Sequence, residues 1–225
     1  AICPNGMMSV VPFNVMGSET NEFDKDSRWW STPYTSDNDF FTGYAHVNLS
    51  GVGCPELGGL LLMPTSGDLK VDYHEYGSHY KKEVAHPGYY SNMLATPRTG
   101  LSRFTFPKGQ GNILLNLGEG LTNETGATVR FVSDTEIEGS KLMGTFCYNP
   151  QAVFPIYFVM QVNKAPKEKG YWKKQREMKG VEAQWDADAG KYKLYTKYTR
   201  EISGDDVGVW FKYDVAEQEQ IEVKI

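Results

Sequence analysis

The stretch KYKLYTKY, residues 191–198, alternates between two sets of side chains and is the clearest indication of the fold class. Its even-numbered members Tyr192, Leu194 and Thr196 fall on one side of an extended chain, and its odd-numbered members fall on the other. A period of two residues is typical of a β-strand with one face toward solvent. The preceding DADAG, residues 186–190, consists of residues that favour turns, so we expect a turn there.

Similar runs recur along the chain between Gly, Pro, Asn and Asp residues. We predict further strands at Met8–Phe13, Tyr44–Leu49, Leu60–Met63, Leu101–Phe106, Asn112–Leu117, Thr128–Val132, Lys141–Tyr148, Ile156–Val162, Val181–Trp185, Val207–Val215 and Ile221–Lys224. Gly139 is interpreted as a break before the strand that begins at Lys141. The best helical candidate, Tyr171–Met178, is short and polar. The pattern predicts an all-β fold with little helix, a large antiparallel two-sheet β-sandwich (a supersandwich) forming a single domain over residues 1–225.

Composition excludes some classes of partner. The net charge is −5, and a nucleic-acid-binding protein usually carries a basic surface, so we expect no nucleic acid. The basic run from Lys164 to Lys179 is interpreted as a solvated loop or hairpin. The longest apolar run, Phe154–Val162, is too short to span a bilayer. The three cysteines, Cys3, Cys54 and Cys147, allow one disulfide or buried free thiols.

A search for catalytic groups finds no phosphate-binding glycine loop and no GxSxG nucleophile motif. His74 and His79 lack a standard zinc spacing, so we expect no metal in this chain. Asp205 and Asp206 are adjacent, whereas glycoside hydrolysis needs two carboxylates on opposite sides of a sugar. They are interpreted as a turn, and Asp37 and Asp39 are excluded on the same ground. We therefore predict no catalytic residue in this chain.

Two segments carry a resemblance to a known family. The first, residues 41–64, reads FTGYAHVNLSGVGCPELGGLLLMP, and the second combines AHPGYYS at 85–91 with ATPRTGLSRFTFP at 95–107. Together with the Val-Pro-Phe at residues 11–13, these segments resemble the N-terminal signature of glycoside hydrolase family 92. The family pattern has a second histidine where this sequence has Asn48.

The resemblance implies a specific enzyme. Family members are calcium-dependent, inverting exo-α-mannosidases, with an N-terminal β-sandwich and a C-terminal (α/α)₆ barrel that holds the catalytic groups and the calcium ligands. This chain would then be the N-terminal part of such an enzyme, with α-1,2-linked mannosides as the expected substrates, and would be inactive without the barrel. The expected partners are mannose-containing glycans and the barrel, and the expected location is the periplasm or the cell exterior.

The resemblance also implies four substrate-binding residues. A tryptophan at the position of Trp29 or Trp30 is expected to contact the sugar, because an indole face matches the apolar C–H face of a sugar ring. His46 and Asn48 alternate with Ser50 on one face of a strand and are expected to line the cleft between the domains. The alternative is a hydrogen-bonded polar ladder that fixes the turn at Leu49–Gly53.

Two functions of other classes remain open from the sequence. The aromatic content, 13%, would also suit a free-standing carbohydrate-binding module. An apolar face at Ile221–Ile225 or at Leu60–Met63 would suit a purely structural or adhesive sandwich.

Overall fold

The computed structural model describes residues 8–14, 34, 40–48, 57–79, 85–86, 89–90, 93–95, 98–120, 126–144, 149, 151–176, 190–196 and 199–225. These residues form eighteen strands and one short helix, in the order β1 (Val10–Phe13), β2 (Phe40–Phe41), β3 (Gly43–His46), β4 (Leu61–Ser66), α1 (Tyr73–Tyr76), β5 (Ser78–His79), β6 (Ala85–His86), β7 (Tyr89–Tyr90), β8 (Met93–Ala95), β9 (Gly100–Phe106), β10 (Gly109–Asn116), β11 (Ala127–Phe131), β12 (Glu136–Met143), β13 (Phe154–Val162), β14 (Glu168–Lys174), β15 (Tyr192–Tyr195), β16 (Glu201–Gly204), β17 (Val207–Val215) and β18 (Glu219–Lys224). No described helix is long and apolar enough to cross a membrane.

Two seven-stranded antiparallel sheets form the sandwich. The first sheet has the strand order β1-β3-β4-β10-β17-β14-β15, and the second has the order β16-β11-β12-β13-β18-β9-β8. The inner faces meet in one apolar core. The first sheet contributes side chains such as Leu62, Ile113, Leu115, Val209 and Phe211, and the second contributes side chains such as Val129, Ile137, Phe158, Met160 and Val223. The predicted all-β, two-sheet sandwich is confirmed.

The first sheet is also covered on its outer face. Residues from four of its strands form a second apolar cluster with the segment that contains α1. The buried members of this cluster are Met63, Val71, Tyr76, Leu114, Trp172 and Trp210. Helix α1 begins after Asp72, whose side chain caps it by accepting the backbone N–H of His74 at 3.0 Å. The central strands of this sheet therefore have two buried faces.

Two glycines make the outer cluster possible. Trp172 lies opposite Gly208 in the pairing of β14 with β17, and Gly170 lies opposite Trp210 two residues along. A Cβ on Gly208 would come within 2.0 Å of the Trp172 ring, and one on Gly170 within 2.6 Å of the Trp210 ring. Each indole therefore lies over a position where only glycine leaves room for it.

Three predictions along the chain are wrong. The helical candidate at Tyr171–Met178 begins inside β14, which is a strand of the first sheet. The solvated loop or hairpin predicted for the basic run is wrong in its solvation, because Tyr171 and Trp172 are fully buried in two different apolar clusters, although β14 does pair antiparallel with β15. Gly139 is inside β12 rather than at a break, and the Phe158 ring lies over it. The strand predicted at Lys141–Tyr148 is observed as Glu136–Met143, and residues 145–148 lie outside the described residues.

Candidate functional site

Strand β3 carries the predicted site residue His46. His46 is 1% exposed and lies on the inner face of the first sheet, beside Val10 and Gly100. Its Nδ1 atom is 3.0 Å from the carbonyl oxygen of Leu60 and 3.1 Å from that of Tyr44. Because a carbonyl oxygen only accepts, Nδ1 must carry the proton and donate. The ring therefore ties β3 to the start of β4.

Burial also sets the charge of this ring. Desolvation lowers the pKa of His46 to about 4, and the two carbonyl hydrogen bonds oppose this shift without cancelling it. His46 is consequently neutral at neutral pH. A buried neutral imidazole can orient its neighbours by hydrogen bonding, and it is poorly suited to attract an anionic ligand.

Asn48 follows β3 and is held by the chain before β1. Its Nδ2 donates to the Ser9 hydroxyl at 2.9 Å and to the carbonyl oxygen of Ala45 at 3.0 Å. Its backbone N–H donates to the same Ser9 hydroxyl at 2.8 Å. Its Oδ1 is buried and has no hydrogen-bond partner among the described residues. This side chain thus fixes the exit of β3 and retains one acceptor that could receive a hydrogen bond.

These contacts bear on the two interpretations of the polar residues of β3. The hydrogen bonds of His46 and Asn48 are those expected of a polar ladder that fixes the local backbone, although Ser50 lies outside the described residues. Contact of either side chain with a sugar stays a prediction. Trp29 and Trp30 also lie outside the described residues, so their role stays a prediction as well.

A polar cluster that the sequence did not indicate lies at the end of β10, on the outer face of the first sheet. Asp206 accepts a hydrogen bond from the Tyr192 hydroxyl at 3.0 Å, with the Lys174 ammonium 3.9 Å away. Nearby, the Asn116 Nδ2 donates to the Tyr76 hydroxyl at 2.9 Å. Burial raises the pKa of Asp206, and it also raises the pKa of Tyr192.

The adjacent acids Asp205 and Asp206 serve different partners. Asp205 forms an ion pair with Arg176, while Asp206 is hydrogen-bonded to Tyr192. Both lie in the connection between β16 and β17, as the predicted turn requires. They are neighbours on one connection, which is not the arrangement of a catalytic carboxylate pair.

The described His, Cys, Asp and Glu side chains are too dispersed to form a metal site. Across the residues with described positions, no group of three or more His, Cys, Asp or Glu side chains could hold a metal ion. His74 lies in α1 and pairs with Asp72 at 3.0 Å. The calcium predicted for the longer enzyme stays a prediction.

A wide groove lies at another end of the sandwich. It has a volume of about 980 Å³ and is bounded by the β11–β12 turn, the β13–β14 connection and the loop after β15. Its walls include Phe131, Val132, Lys169 and Arg200. None of the four predicted site residues is among its described lining residues.

Comparison with known proteins gives one family match. The model of the glycosyl hydrolase family 92 N-terminal domain matches residues 1–225. A search of curated proteins finds no match.

Solved structures show the same fold. The family GH92 α-mannosidase BT3965 from Bacteroides thetaiotaomicron, in complex with mannoimidazole, is 23% identical over 98% of this chain and 29% of its own, with a TM-score of 0.73. The GH92 family glycosyl hydrolase ccman5 is 22% identical over 100% of this chain and 29% of its own, with a TM-score of 0.72. The inverting GH92 mannosidase BT2199 from Bacteroides thetaiotaomicron VPI-5482 is 17% identical over 98% and 27%, with a TM-score of 0.64. The chain thus spans less than a third of the length of these relatives.

Proposed function

Because this chain belongs to the family of glycosyl hydrolase family 92 N-terminal domains, we propose that it is the N-terminal β-sandwich of a calcium-dependent, inverting exo-α-mannosidase. The observation that carries the proposal is the family match over the whole of residues 1–225. The parent enzyme would release mannose from α-linked mannosides, with α-1,2 linkages as the expected preference, in the periplasm or outside the cell.

The catalytic groups are assigned to the second domain on the basis of the reaction chemistry and the length of the relatives. An inverting glycosidase needs a general acid and a general base about 6.5–9.5 Å apart, on opposite sides of the scissile bond. We assign both groups, and the calcium ligands, to the (α/α)₆ barrel outside this chain. In support, solved relatives that share this fold are more than three times as long as the region they share with it.

The sandwich would contribute to the sugar site through a few side chains. We propose that Trp29 or Trp30 packs its indole against the sugar, because aromatic faces cover the apolar face of a pyranose. We propose that His46 and Asn48 support the same site. The hydrogen bonds of both side chains to neighbouring backbone or to Ser9 favour a positioning role, and the Oδ1 of Asn48 is buried without a hydrogen-bond partner among the described residues.

The central experiment measures mannose release from α-linked mannobioses by the product of the complete reading frame. We expect release that requires calcium and that stops when a chelator is added. A folded full-length protein that releases no mannose from any linkage would contradict the proposal. Restoration by calcium after chelation is the control that separates metal loss from denaturation.

Variants at the tryptophans test the role of this domain in the sugar site. We expect Trp29→Ala or Trp30→Ala to lower kcat/KM about fivefold or more, since an aromatic contact is worth about 1 kcal/mol or more. Leu194→Ala, at an exposed position of β15, is the matched control and should leave kcat/KM unchanged. Unchanged turnover in both tryptophan variants would remove them from the site.

A further inference from the structure

The second sheet is divided between β13 and β18. Strands β12 and β13 pair along eight positions, and β18 pairs with β9 along six. In contrast, β13 pairs with β18 at only two positions, Gln161 opposite Lys224 and Val162 opposite Val223. Most of β13 therefore has a partner strand on one edge and, among the described residues, none on the other.

The free edge of β13 carries backbone groups that no other described strand pairs with. Val162 donates its N–H toward the β12 side, to Thr135, whereas Asn163 donates toward the β18 side, to Glu222. Successive residues of a strand direct their backbone groups to opposite edges, so Pro155, Tyr157 and Val159 direct theirs to the open side. Pro155 has no N–H and fits a position where none is needed within the present ladder. The N–H groups of Tyr157 and Val159 are the donors at this edge.

An apolar cavity of about 490 Å³ adjoins the free edge. Its walls come from both sheets, with Ile156 and Phe158 on β13 and with Leu60 at the start of β4. On the outer side of the same strand, Tyr157 is 78% exposed and Val159 is 49% exposed. The gap thus combines backbone donors, an apolar interior and exposed apolar side chains, which is what a sheet edge presents to an added strand.

The register identifies the strand that fits. Ile225 lines the cavity and exchanges backbone hydrogen bonds with Gly100 at 2.9 and 2.8 Å. In the register of β13 with β18, the first position after Ile225 would lie opposite Val159, and the third would lie opposite Tyr157. A chain that continued in the direction of β18 would therefore run antiparallel along the free edge of β13.

We propose that, in the full-length enzyme, the residues directly after Ile225 continue β18 and close the second sheet against β13. This inference rests on the proposed function, which places residues 1–225 within a longer polypeptide. Ile225 is buried, so the second and fourth positions after it would face the cavity and carry apolar side chains. The sandwich would then hold the first part of the connection to the catalytic domain as an ordered strand.

Hydrogen–deuterium exchange of the full-length protein, resolved to single residues, tests the pairing. We expect the amides of Tyr157 and Val159 to exchange about 100-fold or more slowly than those in the exposed turn at Glu217–Gln218. Exchange as fast as in that turn would show a free edge and overturn the proposal.

Two substitutions at Val159 distinguish the effect of its backbone N–H from the effect of its side chain. Val159→Pro removes the N–H at the free edge, and Val159→Ala keeps it. We expect Val159→Pro to accelerate exchange at Tyr157 at least tenfold while Val159→Ala leaves it within about twofold. Equal exchange in the two variants would overturn the proposal, because an edge that pairs with no strand has no hydrogen bond to lose when the N–H is removed.

Cross-linking identifies the segment that lies along the free edge of β13. Tyr157→p-benzoylphenylalanine in the full-length protein should, on irradiation, capture peptides that directly follow Ile225. Thr105→p-benzoylphenylalanine, at an exposed position of β9, is the control and should not capture them. Because β12 lies beside Tyr157 on the other edge, capture of β12 peptides is expected in either case. Capture of a second copy, or no capture of a peptide that follows Ile225, would overturn the proposal. Because mannose release is a separate readout, failure of this inference and failure of the proposed function are distinguishable.

Discussion

The two sheets of the sandwich bury different proportions of their central strands. In the first sheet, every residue of β10 from Gly111 to Asn116 is buried, and so is every residue of β17 from Val207 to Phe211. In the second sheet, β13 alternates between buried and exposed residues from Ile156 to Val162. The first sheet lies between two apolar clusters, while the second faces the core on one side only.

This difference shows which strands can be recognised in a sequence by alternating apolar and polar residues. In a strand with one solvated face, apolar and polar side chains alternate with a period of two. A strand buried on both faces can be apolar at every position. The outer face of the second sheet instead carries polar pairs such as Arg103 with Glu222 and Arg130 with Glu138. Substitutions on the two outer faces should therefore differ strongly in their effect on stability.

The largest effect is expected at the outer cluster of the first sheet. Trp172→Ala removes a fully buried indole and should lower the free energy of unfolding by about 3–5 kcal/mol. Val132→Ala, at a half-exposed position in the β11–β12 turn of the second sheet, should change it by about 0.5 kcal/mol or less. Denaturant titration of both variants measures the contrast, and similar values for the two would refute it.

The second-largest effect is expected at His46, which lies on the inner face of the first sheet. Its pKa is lowered to about 4 from 6.5, so the unfolded chain binds a proton at higher pH than the folded protein does. The neutral His46 therefore leaves the free energy of unfolding at its full value above pH 6.5. That free energy should fall by about 3 kcal/mol as the pH drops to 4. His46→Gln should reduce this slope, and His74→Gln, at a side chain 62% exposed, should not. An unchanged slope in His46→Gln would show that the acid sensitivity arises elsewhere.

A smaller effect is expected from overpacking the outer cluster. Gly208→Ala places a methyl group against the Trp172 ring and should cost about 1–3 kcal/mol. Because the two residues are in contact, the cost should shrink when Trp172 is alanine, and a double-mutant cycle measures the coupling. Additive effects would mean that the ring does not lie over the glycine.

The smallest effect is expected on the solvated face. Arg103 and Glu222 form a hydrogen-bonded pair with side chains 54% and 35% exposed. Arg103→Ala should lower the free energy of unfolding by at most about 1 kcal/mol, and less at high salt. A cost that equalled that of Trp172→Ala would remove the distinction between the two outer faces.

The sequence predicted strands both with and without alternation. Strand β13 was predicted at Ile156–Val162, and over that range buried and exposed residues alternate in the structure. The bounds predicted for β17, Val207–Val215, coincide with those in the structure although Val207–Phe211 are all buried, because valine and aromatic residues favour a strand on either face. Strand β14 was missed because its lysines suggested a solvated segment. Those lysines instead pair with acids on neighbouring elements, such as Lys169 with Asp134, while Tyr171 and Trp172 enter the two clusters.

The candidate site was less predictable from the sequence. His46 and Asn48 were found from a motif, yet their hydrogen-bond partners, Leu60 and Ser9, lie 14 and 39 residues away along the chain. No local pattern relates residues at such separations. The cluster around Asp206 was missed for the same reason, because it joins residues of β10, β15 and the β16–β17 connection with Tyr76 of α1.

The reciprocal pairing of tryptophan with glycine on β14 and β17 restricts how this domain can diverge. Gly208 cannot gain a side chain unless the Trp172 indole is lost first, and loss of the indole alone leaves a cavity. The exchange of this pair therefore passes through a less stable intermediate, whichever residue changes first. At Gly170 a Cβ would also meet the carbonyl oxygen of Tyr195 at 2.2 Å, so loss of Trp210 would not free that position. Among related sequences, we expect Trp172 and Gly208 to be inherited together, and we expect glycine to persist at Gly170 even where Trp210 is lost.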